Sequence, residues 1–511
     1  MLIIGAWILM AGILVKKEYF TEDVFWLPGS GRIDTSAVEW WSGLYMNDQK
    51  IGYSWSSRSS QGDTLYRVAS SQLLRIDILG VTQVINIRSE STLNTDYSLR
   101  SFYFTYRTDD ASSSLTAPGI LGTGSVGTNL EIRGGVDGRR MRLVVRQGQE
   151  KTGQEVLIPI QGPIYLEAGP EMLLARNGIM VGETVRVPIF DPVSMSTQSS
   201  ELRVVALDTV TVGESEERAW RIESDIMGFT ATVWVNDRGE ELRGEVPMGL
   251  ITLETVREPY ETAVGSGWDE ATTLDLVNLA AIPAHSMKIE GARQVDSMSV
   301  RLSGIDFSDF EITFGRQELI EEIVEVKKED LTVLEDYNLP NDDFILRQFL
   351  RATPFVQAED PRIINRASRI RREGRSALTF AENLVHWVYE YLDKVPTAGV
   401  PTALEVLDRR AGDCNEHTVL FTAIARAAGL PTVMNAGVVY VDGNFYYHAW
   451  PTVWVGDWVA VDPTFDQFPA DATHLGFVRG GLDRQVELMK IIGRLAIDVV
   501  SYYPLPGEGG R

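Results

Sequence analysis

Cysteine is almost absent from this chain: its 511 residues contain one, Cys414. A single thiol excludes an internal disulfide framework, so no redox compartment can be read from pairing. Histidine is scarce as well, with five residues at positions 285, 386, 417, 448 and 474. One cysteine and five scattered histidines make no zinc site, which needs about four ligands at short local spacings. No glycine-rich phosphate loop follows a strand, and Asn341-Asp342-Asp343 lacks the spacing of a calcium loop. No metal and no cofactor are therefore expected. Basic charge is in deficit: 71 acidic against 47 basic side chains give a formal charge of −24. That balance repels nucleic acid and anionic lipid heads, so neither is an expected partner. Internal repeats and low-complexity tracts are missing too.

Long hydrophobic runs are also lacking. The first one, Leu2 to Val15, is shorter than the about 17–25 residues of a membrane span. It has neither a basic leader nor a small-x-small cleavage site. Residues 1–17 read as an uncleaved hydrophobic leader or signal-anchor, an N-terminal membrane anchor. Lys16-Lys17 favours a cytoplasmic body by the positive-inside rule, whereas a leader before a large β-rich body is the pattern of export. The expectation is a membrane-anchored protein of a bacterial cell envelope, with orientation open.

The length is enough for about three domains with sizeable cores. Residues 36–262 alternate as strands in Gly52–Ser56, Val81–Ile87, Leu99–Tyr106 and Ala231–Val235, with turns such as Asn236–Gly239 between them. They predict a large antiparallel sheet or open barrel, read as a spacer because nothing in it gathers titratable groups. Residues 277–330 predict a second, small β module, closed by the charged joint Lys327–Asp330. Residues 345–500 then turn helical. Asp360-Pro361 caps and opens one helix to Gly374, Thr379-x-x-Glu382 opens another, and Thr402-x-x-Glu405 opens a third near Arg409-Arg410. That basic pair reads as a complement to the helix C-terminus.

The chemistry is expected where Gly412-Asp413-Cys414-Asn415-Glu416-His417 passes from a turn into a helix. Asp413 and Glu416 make the D-x-x-E form of a capping box, and Val419, Leu420, Ala423, Ile424 and Ala427 give one buried face before Gly429 and Pro431. A lone cysteine in an apolar helix is usually a small core residue. At the first turn, however, unsatisfied N–H groups and the dipole favour the nucleophilic thiolate. His448 is the proton partner of choice, on a strand that follows the Asp442-Gly443 hairpin turn. A third strand, Trp458–Asp462, ends in Asp462-Pro463-Thr464. Cysteine on the helix, with histidine and aspartate on neighbouring strands, is the order of nucleophile, base and orienter in an acyl-transfer triad.

The remaining candidates read more plainly. His417 lies three residues from Cys414 and reaches the same side of the helix, but a base on the nucleophile's own helix aims poorly at the thiol. His474 reads as fixing a loop, His386 as a core histidine, and Trp387, Trp450, Trp454 and Trp458 as core or cleft wall.

Three blocks, Ala411–His417, His448-Ala449-Trp450 and Val461–Thr464, resemble the motifs of the transglutaminase-like superfamily, which shares papain-like cysteine chemistry. The resemblance covers about residues 345–500. It implies a C-terminal transglutaminase-like (papain-like) domain, so that, with the large antiparallel β-rich region read above preceding it, the expected fold class is α+β. It also implies catalytic roles for Cys414, His448 and Asp462 and leaves the substrate open, because that superfamily holds cross-linking enzymes, peptidases, amidases and inactive members. The favoured expectation is a thiol hydrolase acting on a peptide or protein amide. The alternatives are true amine transfer and a non-catalytic envelope binding protein.

The register between strands is the sharpest expectation. A two-residue turn at Gly456-Asp457 would put Asp462 opposite Pro451, on the face away from His448. The triad therefore requires a three-residue connection, Val455–Asp457, or a bulge nearby, with Trp454 opposite Trp458 and Asp462 opposite Trp450.

Overall fold

The computed structural model describes residues 37–504, apart from 63, 79–80, 111–128, 149–152, 167, 177–179, 227–228, 249, 266–279, 373, 398, 482–483 and 485. The apolar leader at 1–17 lies outside the described residues. Among these, no helix is long and apolar enough to cross a membrane. The protein is β-rich and divides into two compact units, one ending at Leu276 and one starting at Val277.

The first unit is a 14-stranded antiparallel sheet running from Val38–Met46 to Ile251–Glu258. Its first eight strands form a meander in sequence order, and so do its last six. The two series join where the first strand pairs with the last, Trp41 opposite Glu258. Period-two burial explains the elements: in Val81–Asn94, Gln83, Ile85 and Ile87 are buried and the residues between them are less so. After the eighth strand, Tyr165 bridges to Ile189 in the ninth, bringing the two ends of the sheet together. The inner face encloses a cavity of ≈ 250 Å³ whose lining includes Glu171, Glu241 and Ser200. Burial pushes the Glu171 carboxyl up to about 8 and raises that of Glu241. The expectation that this body gathers no titratable groups does not hold, because those carboxylates come from elements far apart in sequence.

The second unit is built on a nine-stranded sheet. In chain order the strands are β1 (Ile282–His285), β2 (Val295–Ser303), β3 (Gln317–Ile320), β4 (Ile323–Lys327), β5 (Thr432–Val441), β6 (Asn444–Trp454), β7 (Trp458–Ala460), β8 (His474–Arg479) and β9 (Ala496–Pro504). Spatially they run β3-β4-β2-β9-β1-β6-β5-β8, with β7 against the far part of β6. The module expected at 277–330 is thus no separate body. Its strand β1 pairs with β6 at Ile282 and Phe445, and β2 pairs with β9. Hydrophobic period gave the strands but could not name their partners.

Among the described residues, four α-helices pack on this sheet: α1 (Pro361–Arg371), α2 (Ala377–Tyr391), α3 (Ala403–Arg409) and α4 (Cys414–Ala428). Asp360 and Thr402 cap α1 and α3 as expected, while α2 starts earlier than Thr379, with Ser376 accepting from the Thr379 backbone N–H. Ile363, Phe380, Leu384, Val388, Leu404, Leu420, Phe421 and Ile424 meet Val453, Val459 and Val461 in one core. A central helix buried on nearly every side is held at a fixed height over the strands.

Candidate active site

Cys414 is the first residue of α4 and is buried. Asp413 caps the helix by accepting from the Asn415 backbone N–H at 2.8 Å, and Glu416 closes the capping box by accepting from the Asp413 N–H at 2.9 Å. Glu416 also accepts from the Thr397 hydroxyl at 2.6 Å, and Arg409 stands 3.7 Å away. One of the two arginines therefore helps neutralise the buried cap. Thr418, one turn along, donates to the Ala449 carbonyl at 3.1 Å and pins the helix to β6 beside His448.

His448 sits in the middle of β6, opposite Gly437 of β5, which in turn lies opposite Gly476 of β8. These glycines permit close strand approach: a Cβ at Gly437 would stand 2.0 Å from the Leu475 carbonyl oxygen. The Nε2–H of His448 donates to Asp462 Oδ2 at 2.8 Å, and its ring stacks on Trp450 at 5.9 Å between centroids. The imidazole also hydrogen-bonds the Cys414 side chain. With Nε2 committed to the carboxylate, Nδ1 is the nitrogen left for the thiol.

Asp462 follows β7. The β6–β7 connection has the three residues Val455–Asp457, with Trp454 opposite Trp458 and Val461 N–H donating to the Pro451 carbonyl at 2.9 Å. This register turns Asp462 to the His448 face. Its Oδ1 accepts from the backbone N–H groups of Thr464 and Phe465, at 2.7 and 3.3 Å. Burial acts to raise the Asp462 carboxyl, but the charge and hydrogen bond of His448, with the hydrogen bond of His474, hold it well below the ordinary value. At Cys414, burial and the Asp413 carboxylate push the thiol up, while the hydrogen bond and charge of His448 pull it down.

The sequence match coincides with this geometry: residues 364–463 match the family described as the Transglutaminase-like superfamily. The C-terminal region carries a transglutaminase-like domain. Similar solved structures include a Cytophaga hutchinsonii protein proposed to be a cysteine protease, 13% identical, covering 41% of this chain and 86% of its own, with a TM-score of 0.24. A Parabacteroides distasonis protein proposed to be a protease is 10% identical, covering 75% of this chain and 64% of its own at a TM-score of 0.19. A β-barrel-like protein of a domain of unknown function from Brucella abortus is 10% identical, covering 44% of this chain and 97% of its own at 0.33. No curated protein matches the sequence.

Within the transglutaminase-like domain, the other histidines divide. His417 is buried, its Nδ1–H donating to the Asp413 carbonyl at 2.6 Å, so it braces the helix start. His386 is no core residue: its side chain is 66% exposed and lies 3.2 Å from Asp466. Trp387 stacks on Tyr391, and Trp454 and Trp458 pack edge to face.

His474, expected to fix a loop, instead opens β8 with its Nε2 at 2.9 Å from Asp462 Oδ2, the same oxygen that His448 uses. Behind it, Asp471 is buried and Arg293 forms an ion pair with it at 2.9 Å. The available signal was Asp471-x-Thr473, an Asp turn ahead of a strand, in which Thr473 N–H donates to Asp471 at 2.8 Å. That turn could not show that the strand lands beside β5.

Proposed function

We propose that this protein is a cysteine-dependent hydrolase that cleaves amide bonds in a peptide or protein through a thioester on Cys414. The observation that carries the reading is the 2.8 Å contact of His448 Nε2 with Asp462 Oδ2, made while the same ring hydrogen-bonds Cys414. A matching domain in the transglutaminase-like superfamily supports a papain-like cysteine enzyme at the family level.

In the proposed reaction, His448 Nδ1 takes the thiol proton and Cys414 Sγ attacks the amide carbon. The backbone N–H of Cys414 at the start of α4 stabilises the resulting oxyanion. Collapse breaks the C–N bond as His448 gives its proton to the leaving amine. Water, deprotonated by His448, then attacks the thioester and releases the acid, and Sγ regains its proton. Asp462 fixes the His448 tautomer and stabilises the imidazolium.

The experiment is incubation with a peptide amide and a labelled primary amine. Release of acid supports the hydrolase; incorporation of the amine replaces it with acyl transfer. Turnover of neither, across glutamine-bearing and general peptides, overturns the enzymatic reading.

A further inference from the structure

Four charged groups run behind the Cys414–His448 pair in alternating sign: Asp462, His474, Asp471 and Arg293. Three of them are buried, and Arg293 at the end of the row is half-buried. Asp462, His474 and Asp471 are each at most 1% exposed, and the Arg293 guanidinium lies 4.4 Å above the Phe465 ring. Each link is short: His474 Nε2 to Asp462 Oδ2 at 2.9 Å, His474 Nδ1 to the Asp471 carbonyl at 3.1 Å, and Arg293 to Asp471 at 2.9 Å.

The protonation state of His474 follows from its partners. Nδ1 faces a backbone carbonyl and, at 3.4 Å, the Asp471 carboxylate. Nε2 faces Asp462 Oδ2, which already takes the His448 N–H. A carbonyl and an ionised carboxylate accept and never donate. Both ring nitrogens must therefore carry hydrogen, and His474 is an imidazolium held between two carboxylates.

We infer that His474 is a positioning residue: as an imidazolium it clamps Asp462 Oδ2 between two N–H donors and sets how much negative charge His448 feels. This rests on the reading of Cys414, His448 and Asp462 as a reacting triad. A lone buried aspartate would bind the His448 imidazolium tightly and slow proton delivery to the leaving amine. A second cation on the same oxygen offsets that charge and so eases delivery of the proton. The neighbouring charges are arranged to keep the clamp in place. Arg293 balances Asp471, and Arg316, paired with Glu329 at 3.4 Å, lines one small cavity together with Arg479 and His474. On α4, His417 is the other titratable ring near Asp462, and burial holds its value down. The charge of Asp471 and the hydrogen bonds to Asp462 and Asp471 raise His474 against burial. Arg293 comes from the 277–330 segment, which gives that segment a role at the site.

The test uses the full chain and needs no substrate. Ring ¹⁵N spectra of the five histidines of the wild type should show one buried ring still doubly protonated above the ordinary histidine midpoint of about 6.5. A buried set with only neutral rings overturns the inference, and this measurement requires no variant. In the Cys414→Ala background, His474→Gln should raise the His448 titration midpoint by about one pH unit, a tenfold tighter proton, because one cation is lost whose ring centroid lies 5.5 Å away. An unmoved midpoint with the fold intact overturns the clamp even where the enzyme is active. In parallel, an ordinary-thiol alkylation profile for wild-type Cys414 sinks the triad itself and the inference with it. Low-pH alkylation together with an unmoved His448 sinks the inference alone.

Discussion

Trp454 stands directly opposite Trp458 across the β6–β7 connection, with ring centroids 5.6 Å apart and planes at 74°. That pairing is the fingerprint of a three-residue turn, and everything C-terminal to it inherits the phase. Deleting Asp457 should restore a two-residue turn and move Asp462 to the opposite face. The expected outcome is a loss of peptide hydrolysis of about 10³-fold or more, with Cys414 still alkylated as part of a dyad. A deletion variant with undiminished turnover would show that the carboxylate is not needed.

If the proposed function holds, thiolate formation at Cys414 should depend on His448. Iodoacetamide should label Cys414 well below the pH of about 8.5 at which a plain thiol reacts, and His448→Ala should move the profile up toward that value. Identical rate–pH curves for wild type and variant would remove His448 as the proton partner.

Asp462→Asn leaves the shape of the site but removes its charge and offers an N–H where two imidazoles donate. We expect kcat to fall by about 10²–10⁴-fold with KM little changed. Steady-state kinetics check this, and a drop in KM alone would contradict the orienting role.

Gly437 is a packing prediction. Alanine there would put a Cβ 2.0 Å from the Leu475 carbonyl, so β5 and β8 must part. The cost should be about 1–3 kcal/mol, read as a lower melting temperature, together with slower turnover because His474 lies on β8 and His448, on β6, pairs directly with Gly437. An unchanged melting temperature would mean that the strands yield freely.

Stability should depend on pH through His474 and Asp462 with opposite signs. His474 is raised, so its contribution is complete below about pH 6.5 and is lost as pH rises through its folded value. Asp462 is lowered, so its contribution is present above about pH 4 and is lost on acidification through its folded value. The difference in melting temperature between wild type and His474→Gln should shrink as pH rises from 6.5. Calorimetry from pH 3 to 9 checks this, and a constant difference would exclude a charged His474.

Local signals in the sequence carried much of this site. The Asp413/Glu416 box located the start of α4, because capping is settled within four residues, and the parity of the β6–β7 turn oriented Asp462. Pairings distant in sequence were invisible. β1 joins β6 across about 160 residues, Val439 of β5 faces His474 of β8, and Arg293 reaches Asp471 across 178 positions. No periodicity encodes those distances. His474 was misjudged for this reason, and the same blindness hid the buried Glu171 and Glu241.

The sheet order also bears on how the protein can be divided for expression. The family-matched segment, 364–463, ends one residue past Asp462. A fragment cut there would keep the three expected residues yet lack β1, which covers one edge of β6, and β8, which covers one edge of β5. Two bare strand edges recruit other chains, so such a fragment should aggregate, whereas a cut before β1 that runs through β9 retains every neighbour.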